Sequence, residues 1–206
     1  MPQPSGLKRV ENSMTAAVAL ERDAELMLRV REGDEASFAL LLERHRGPVI
    51  HFLYRMVQNQ AVAEELAQEV FLRVYRSRAT YEPTAKFTTW LFRIATHLAL
   101  NWIRDRKNEK GLESLDEEST EGGPIRQVPD CKPNIEQWML HDARMEEVRK
   151  AIALLPEKQR AAVLMHKYHE MEYAQIAKVL SCSESAVKSL LFRAYETLRA
   201  RLAHLI

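Results

Sequence analysis

Apolar residues recur every three to four positions along most of this chain, and that rhythm predicts helices. Phe38, Leu41, Leu42, His45, Val49, Phe52, Leu53 and Met56 share one face of a 3.6-residue period, so this stretch predicts an amphipathic helix turned toward a core. Ahead of it a periodic segment begins near Asp23 and breaks at Arg31 to Asp34. There Gly33 suits the C′ position of one helix and Asp34 the N-cap of the next. Gly47-Pro48 sits inside the long stripe as a candidate kink. A third helix turns Ala63, Leu66, Ala67, Val70 and Val74 inward, and a fourth turns Leu91, Ile94, Ala95, Leu98 and Trp102 inward.

Between Lys107 and Asp130 the period vanishes, Gly122-Gly123-Pro124 interrupts, and acidic residues outnumber basic ones. Such a stretch reads as a flexible acidic linker, too polar to bury a core of its own. After Pro133 the helical period resumes, with Trp138, Met145 and Ile152 one heptad apart and Pro156 at the first turn of a new helix. No run of strand period competes. The expected fold is all-α: a disordered lead-in over 1–22, a helical domain over 23–107, the linker over 108–134 and a second helical domain over 135–206.

Composition supports this picture without adding a function. With 46% hydrophobic and 29% charged residues in 206, the chain can bury real cores, and 6 Gly with 8 Pro are too few for the turns of a β-sandwich. A net charge of +1 conceals regional asymmetry, so local charge has to decide about partners. Cys131 and Cys182 lie far apart with no ligand-spaced companions and read as reduced cytosolic thiols. Neither a signal peptide nor a membrane-spanning run is expected, which places the chain in the cytoplasm.

The segment from Tyr173 to Leu202 suits a helix-turn-helix: a short helix with Ile176, Ala177 and Leu180 inward, a break capped by Ser183, then a longer helix. Val187, Leu190, Leu191, Ala194 and Leu198 form the inner stripe of the longer helix. Ser185, Lys188, Ser189, Phe192, Arg193, Glu196 and Arg199 then face outward. Basic, hydroxyl and apolar groups on one helix face match what the major groove offers in phosphates, base edges and thymine methyls. The alternative is an ordinary helical hairpin with a solvated face. Ser181 stands where such turns often carry Gly, and a left-handed backbone there costs about 1 kcal/mol or more.

In the first half, Trp90, Arg93, His97, Asn101 and Arg104 line the face of the fourth helix opposite its apolar stripe, an arrangement able to stack on unpaired bases and hold phosphates. A core Trp beside a solvated basic stripe would give the same pattern. The preceding non-periodic segment, Tyr81 to Phe87 with Lys86 in it, is a candidate pocket for an extruded base, or simply a loop. On the third helix Glu65, Gln68, Glu69 and Leu72 project away from the buried stripe, and an apolar residue exposed among carboxylates suggests a protein partner.

AEELAQEVFLRVYR, then FTTWLFRIATHLALNWIRDRK, then LPEKQRAAVLMHKYHEMEYAQIAKVLSCSESAVKSLLFRAYETLRARL resemble the two regions of extracytoplasmic-function sigma factors of the bacterial sigma-70 family. The resemblance implies that the first domain docks on the clamp helices of core RNA polymerase and opens and reads the −10 element. It implies that the second reads the −35 element and touches the polymerase flap. Carried over residue by residue, Glu65, Gln68, Glu69 and Phe71 match the docking motif, with Leu72 beside them. Tyr81 to Phe87 matches the base-capturing loop, Asn101 and Arg104 the element-reading helix, and Lys188, Ser189, Phe192 and Arg193 the −35-reading helix. An anti-sigma factor is an expected further partner.

Two competing functions differ in kind. A DNA-processing enzyme would need clustered carboxylates, an activated nucleophile or a phosphate loop. Gly122-Gly123 lacks the Lys-Ser/Thr of a P-loop, and His166 and His169 have no partners at ligand spacing. No catalytic residue, metal or cofactor is therefore expected. A helix-turn-helix repressor or activator acting without polymerase would need a dimerising or ligand-binding domain where this chain has the aromatic and basic stripe.

Overall fold

The computed structural model describes residues 22–112 and 135–205, with side chains described over 22–109 and 144–205. The lead-in over 1–21, the linker over 113–134, Cys131 and the side chain of Trp138 lie outside the described residues. The first helix, α1, occupies residues 22–31 and ends where Gly33 takes a φ of +97°, a left-handed geometry that glycine adopts without strain. Asp34 then caps α2 (Glu35–Val57), its carboxylate accepting from the N–H groups of Ala36 and Ser37 at 3.0 and 3.2 Å. A bond from the Ser37 hydroxyl, with those backbone bonds behind it, holds the Asp34 carboxyl below its ordinary value. Pro48 lies within α2 on its exposed side, and the helix is continuous through it.

Asn59 caps α3 (Gln60–Arg76), and a single 3-10 turn, Arg78–Thr80, leads to the segment before α4 (Phe87–Leu112). Helix α4 runs five residues past the boundary expected at Lys107, into the start of the presumed linker. Then come α5 (Ile135–Ala153), α6 (Glu157–Tyr168), α7 (Tyr173–Leu180) and α8 (Glu184–Arg201). Pro156 is the N-cap of α6 rather than its first helical residue, and its missing N–H is no loss at either position. The described residues contain helices and no strand, an all-α fold.

Helices α1 to α4 enclose Met27, Leu41, Phe52, Leu53, Met56, Val70, Phe87 and Leu91, each with no more than a trace of exposure. Helices α5 to α8 enclose Leu155, Leu164, Met165, Ile176 and Val187 in the same way. The two groups are not held apart. One continuous cluster of buried side chains spans them, with α7 packed on α4 and α6 on α2.

The seam between the groups is built from residues whose partners the local sequence does not reveal. Arg160 of α6 is half-buried and donates to the carbonyl oxygens of Met56 on α2 and of Ala153 and Leu155 at the end of α5. Burial lowers its pKa. His169 lies edge-on to Phe52 and tilted against Phe92, with ring centroids 5.8 and 4.1 Å apart. Its Nε2 is buried without a partner, and burial, reinforced by the charges of Arg55 and His51, pushes its pKa down to about 4. Arg55 stacks over Tyr168 at 4.3 Å, and Lys107 pairs with Glu157 across the same junction.

Candidate nucleic-acid and polymerase interfaces

Three faces carry the residues singled out by sequence. On α3, Glu65 and Gln68 are exposed and Leu72 is 48% exposed, while Glu69 accepts a hydrogen bond from Arg73 Nε at 2.7 Å. The inner side of the same helix holds Ala63, Ala67, Val70 and Val74, which fixes the acidic side outward. Phe71 departs from the expectation that it belongs to this outer patch. It is 5% exposed and sits in the core, because it follows Val70 around the helix onto the inner side.

The second face is on α4. Arg93, His97, Asn101 and Arg104 are exposed and aligned along it. The His97 pKa is lowered, first by burial and then by Arg93. Toward the helix end, His97, Asn101, Arg104 and Lys107 border a groove of about 450 Å³ whose far wall is Glu157 and Lys158 of α6. The bond from Lys107 holds the Glu157 carboxyl below its ordinary value. The second helical group thus lies along one side of this face.

The aromatic part of that face is arranged differently from the expectation. Tyr81 is 4% exposed, Phe87 is fully buried and Trp90 is half-buried. The three rings pack on one another, with centroids 5.0 Å apart for Tyr81 and Trp90, 5.8 Å for Phe87 and Trp90, and 6.4 Å for Tyr81 and Phe87. None of them stands free to stack on a base in this structure, since apolar rings gain more from one another than from water. Between them Glu82, Pro83, Thr84 and Lys86 are exposed, so the segment is a polar arch on an aromatic floor.

The third face is on α8. Ser183 caps the helix through its hydroxyl, accepting from Ala186 N–H at 3.2 Å. Val187, Leu191 and Ala194 are buried, as is Ala177 on α7, and α7 packs against α8, so the pair forms the expected helix-turn-helix. Ser181 closes α7 with φ 51° and ψ 50°, the left-handed conformation anticipated at that turn. Ser185, Lys188, Ser189, Arg193 and Arg199 are exposed, and Phe192 is 68% exposed. The Arg199 guanidinium pairs with Glu196 one turn earlier. Lys188, Ser189, Phe192 and Arg193 outline a shallow hollow, and Cys182 lies beside Ser189 and Arg193 with its thiol free.

Residues 41–109 match the family described as Sigma-70 region 2, and residues 145–198 match Sigma-70, region 4. The RNA polymerase sigma-H factor of Pseudomonas aeruginosa strain PAO1 is 31% identical over 189 residues, covering 90% of this chain and 96% of that one. The chain belongs to the extracytoplasmic-function group of the sigma-70 family. The ECF RNA polymerase sigma-E factor of Escherichia coli K12 is 30% identical over 188 residues, covering 89% of this chain and 96% of its own length. Two solved structures share the fold. CnrH in complex with the cytosolic domain of CnrY has a TM-score of 0.64 at 19% identity, covering 89% of this chain and 98% of that one. The sigma factor RpoE in complex with the anti-sigma factor NepR from Bartonella quintana has the same score at 20% identity, covering 81% and 96%.

As a sigma factor the chain is an RNA polymerase initiation factor, and such factors act without catalysis. The reading as a polymerase-independent repressor finds no support, since both sigma regions occur in order and the relatives run almost the full length. Among the described residues no cluster of three or more His, Cys, Asp or Glu side chains could hold a metal ion, and no helix is long and apolar enough to cross a membrane.

Sequence reasoning missed Arg160 and His169 as joining residues, and Asp23 with His45 as a buried pair. An arginine directly before the apolar run of α6 and a histidine just past the end of that helix were the visible signal for the first two. Nothing local could signal the third.

Proposed function

We propose that residues 23–107 dock on core polymerase and open and read the −10 element, and that residues 135–206 read the −35 element and touch the flap. Glu65, Gln68 and Glu69 set the orientation of the first contact with the clamp helices, and Leu72 supplies desolvated area at its centre. The observation that carries this reading is the outward display of Leu72 and Phe192, two large apolar side chains each ringed by charged or polar neighbours on the exposed face of a helix whose other face is buried. Exposed apolar groups in such settings mark contact surfaces. Arg93, Asn101, Arg104 and Lys86 hold the unpaired strand through phosphates and base edges, while Tyr81, Phe87 and Trp90 shape the arch beneath it. Lys188, Ser189, Phe192 and Arg193 read duplex DNA.

The chain works in the cytoplasm, without catalysis or cofactor, and an anti-sigma factor restrains it. Support for such a partner comes from the solved relative RpoE, which is in complex with an anti-sigma factor, and from the seam that leaves the α4 face partly lined by α6. The test is competition for core polymerase together with run-off transcription on mapped promoters. A folded Leu72→Asp variant is expected to lose core binding and transcription together. Unchanged core affinity would assign the α3 patch to solvent.

A further inference from the structure

An ionised carboxylate is expensive to bury unless every oxygen is matched. Asp23 of α1 is 2% exposed, and both of its oxygens are matched from α2: one by the guanidinium of Arg44, the other by His45 Nε2 at 2.8 Å. His45 is itself 7% exposed. A buried polar pair of this kind is weak support for stability, because well-packed apolar residues of similar size do as well. Its value lies in orientation, since a ring held at one nitrogen cannot rotate freely.

What that ring orients is the arch before α4. The His45 imidazole packs on Phe87 with centroids 5.4 Å apart at 49°. Phe87 packs on Tyr81 and Trp90, which pack on each other, so the polar segment between Tyr81 and Phe87 is gripped at both ends by one aromatic cluster. Tyr81 closes the circuit. Its hydroxyl is buried with no hydrogen-bond partner, and its pKa is raised by burial and then by the charge of Asp23, which lies within electrostatic reach. The hydroxyl of Thr89, in the first turn of α4, is likewise buried and unpartnered. The arch therefore rests on a floor of rings backed on one side by a hydrogen-bonded polar pair, Asp23 and His45, and not by apolar side chains alone.

We infer that Asp23, acting through His45, is a positioning residue for the strand-capturing arch: it fixes the rings of Phe87 and Tyr81 and so sets the span across which Lys86 and its neighbours meet an unpaired base. This rests on the assignment of the arch to the −10 element. It adds α1, which lies outside the matched region beginning at residue 41, to the parts that determine −10 selectivity.

The experiment uses the full chain with core polymerase. Open-complex formation is followed by permanganate reactivity on a promoter series carrying single substitutions through the −10 and −35 elements, with core affinity and circular dichroism alongside. Asp23→Asn keeps the size of the side chain and removes its charge. It is expected to leave core affinity and −35 sensitivity unchanged while discrimination at one −10 position falls about tenfold, the order of one good base contact. Should Asp23→Asn unfold, the double variant Asp23→Ala with His45→Leu replaces the pair by apolar groups and restores folding, and the same selective loss is expected. Lys86→Ala separates the two layers of the argument. If Lys86→Ala weakens opening but the Asp23 variants keep full −10 discrimination, the pair merely staples α1 to α2 and the inference is overturned. If Lys86→Ala has no effect, the assignment of the arch falls and the inference falls with it.

Discussion

The faces of α4 and α8 hold similar side chains and treat their aromatic residues in opposite ways. On α8 the aromatic group is displayed: Phe192 is 68% exposed, between Lys188 and Arg193, over a buried stripe that needs nothing from it. At the start of α4 the aromatic groups are withheld: Phe87 is fully buried, Tyr81 just before it nearly so and Trp90 half-buried, while the fully exposed residues of the face are polar and basic. Duplex DNA presents its base edges without being opened, so a reader of it is served by groups already in place. An unpaired base has first to be extracted, and a pocket that receives it needs firm walls more than protruding ones. Both faces border α6, the α8 face where Ser189 and Arg193 share a hollow with Lys158 and the α4 face along the groove walled by Glu157 and Lys158.

The same substitution at the two phenylalanines is the sharpest way to break this contrast. Phe87→Ala is expected to destabilise the protein by about 3–5 kcal/mol, the usual consequence of emptying a fully buried ring site. Phe192→Ala is expected to change stability by no more than about 0.5 kcal/mol while reducing transcription from promoters that depend on their −35 element. Urea unfolding and run-off transcription measure both. Equal stability losses would mean that Phe192 is packed as Phe87 is, and the contrast would be gone.

Part of this difference was legible in the sequence. The period of α8 turned Phe192 outward and Val187, Leu191 and Ala194 inward, and the period of α3 did the same for Leu72 against Val70 and Val74. Period assigns a residue to a face only where a helix is long enough to have one, and it assigns the edges of a stripe poorly. Tyr81 to Phe87 has no period and therefore no face, so the burial of its terminal rings was not encoded in spacing. Trp90, which the period sets opposite the α4 stripe, is half-buried because it packs on Tyr81 and Phe87. His45 read as one more member of an apolar stripe because its partner, Asp23, lies on another helix. Arg160 and His169 were opaque for the same reason at greater distance, their partners being Met56, Phe52 and Phe92 across the seam.

If α8 reads duplex DNA with side chains already in place, removing one basic group has a local cost. Arg193→Ala is expected to weaken promoter engagement by about 1–3 kcal/mol and to relax preference at one position of the −35 element, with folding unaffected because the side chain is exposed. Binding to a −35 substitution series, in the presence of core polymerase, measures it. A uniform loss across all substitutions would make Arg193 a phosphate contact only.

The covered side of the α4 face leads to a pH dependence. His169 binds its proton less readily in the packed seam, where its pKa is about 4, than when free, near 6.5. The seam is therefore at full strength above the free value and weakens as pH falls from there toward the packed value, by about 1 kcal/mol per pH unit. Arg55 and His51 face the ring and oppose its protonation further. Fluorescence transfer between probes on α3 and α8 is expected to report separation of the two groups on acidification in the upper part of this window, before carboxylates take up protons. His169→Leu is expected to flatten that response. A response that persists in His169→Leu would place the titrating group elsewhere.

The smallest expected effect concerns the turn that sets α8 against α7. Ser181 holds φ 51° and ψ 50°, a conformation that crowds the Cβ of any L-residue against its own backbone, and its side chain is exposed. Ser181→Gly removes that crowding, worth about 1–2 kcal/mol, but adds freedom to the unfolded chain worth about 0.5–1 kcal/mol in the other direction. A net gain of about 0.5 kcal/mol is expected in urea unfolding. Because the Ser183 cap and the packing of α7 on α8 already fix the angle between the helices, the gain should come without any change in −35 preference. If Ser181→Gly instead altered that preference, strain in the turn would be setting the pose of α8, and its face would owe its arrangement to the turn rather than to the packed stripe beneath it.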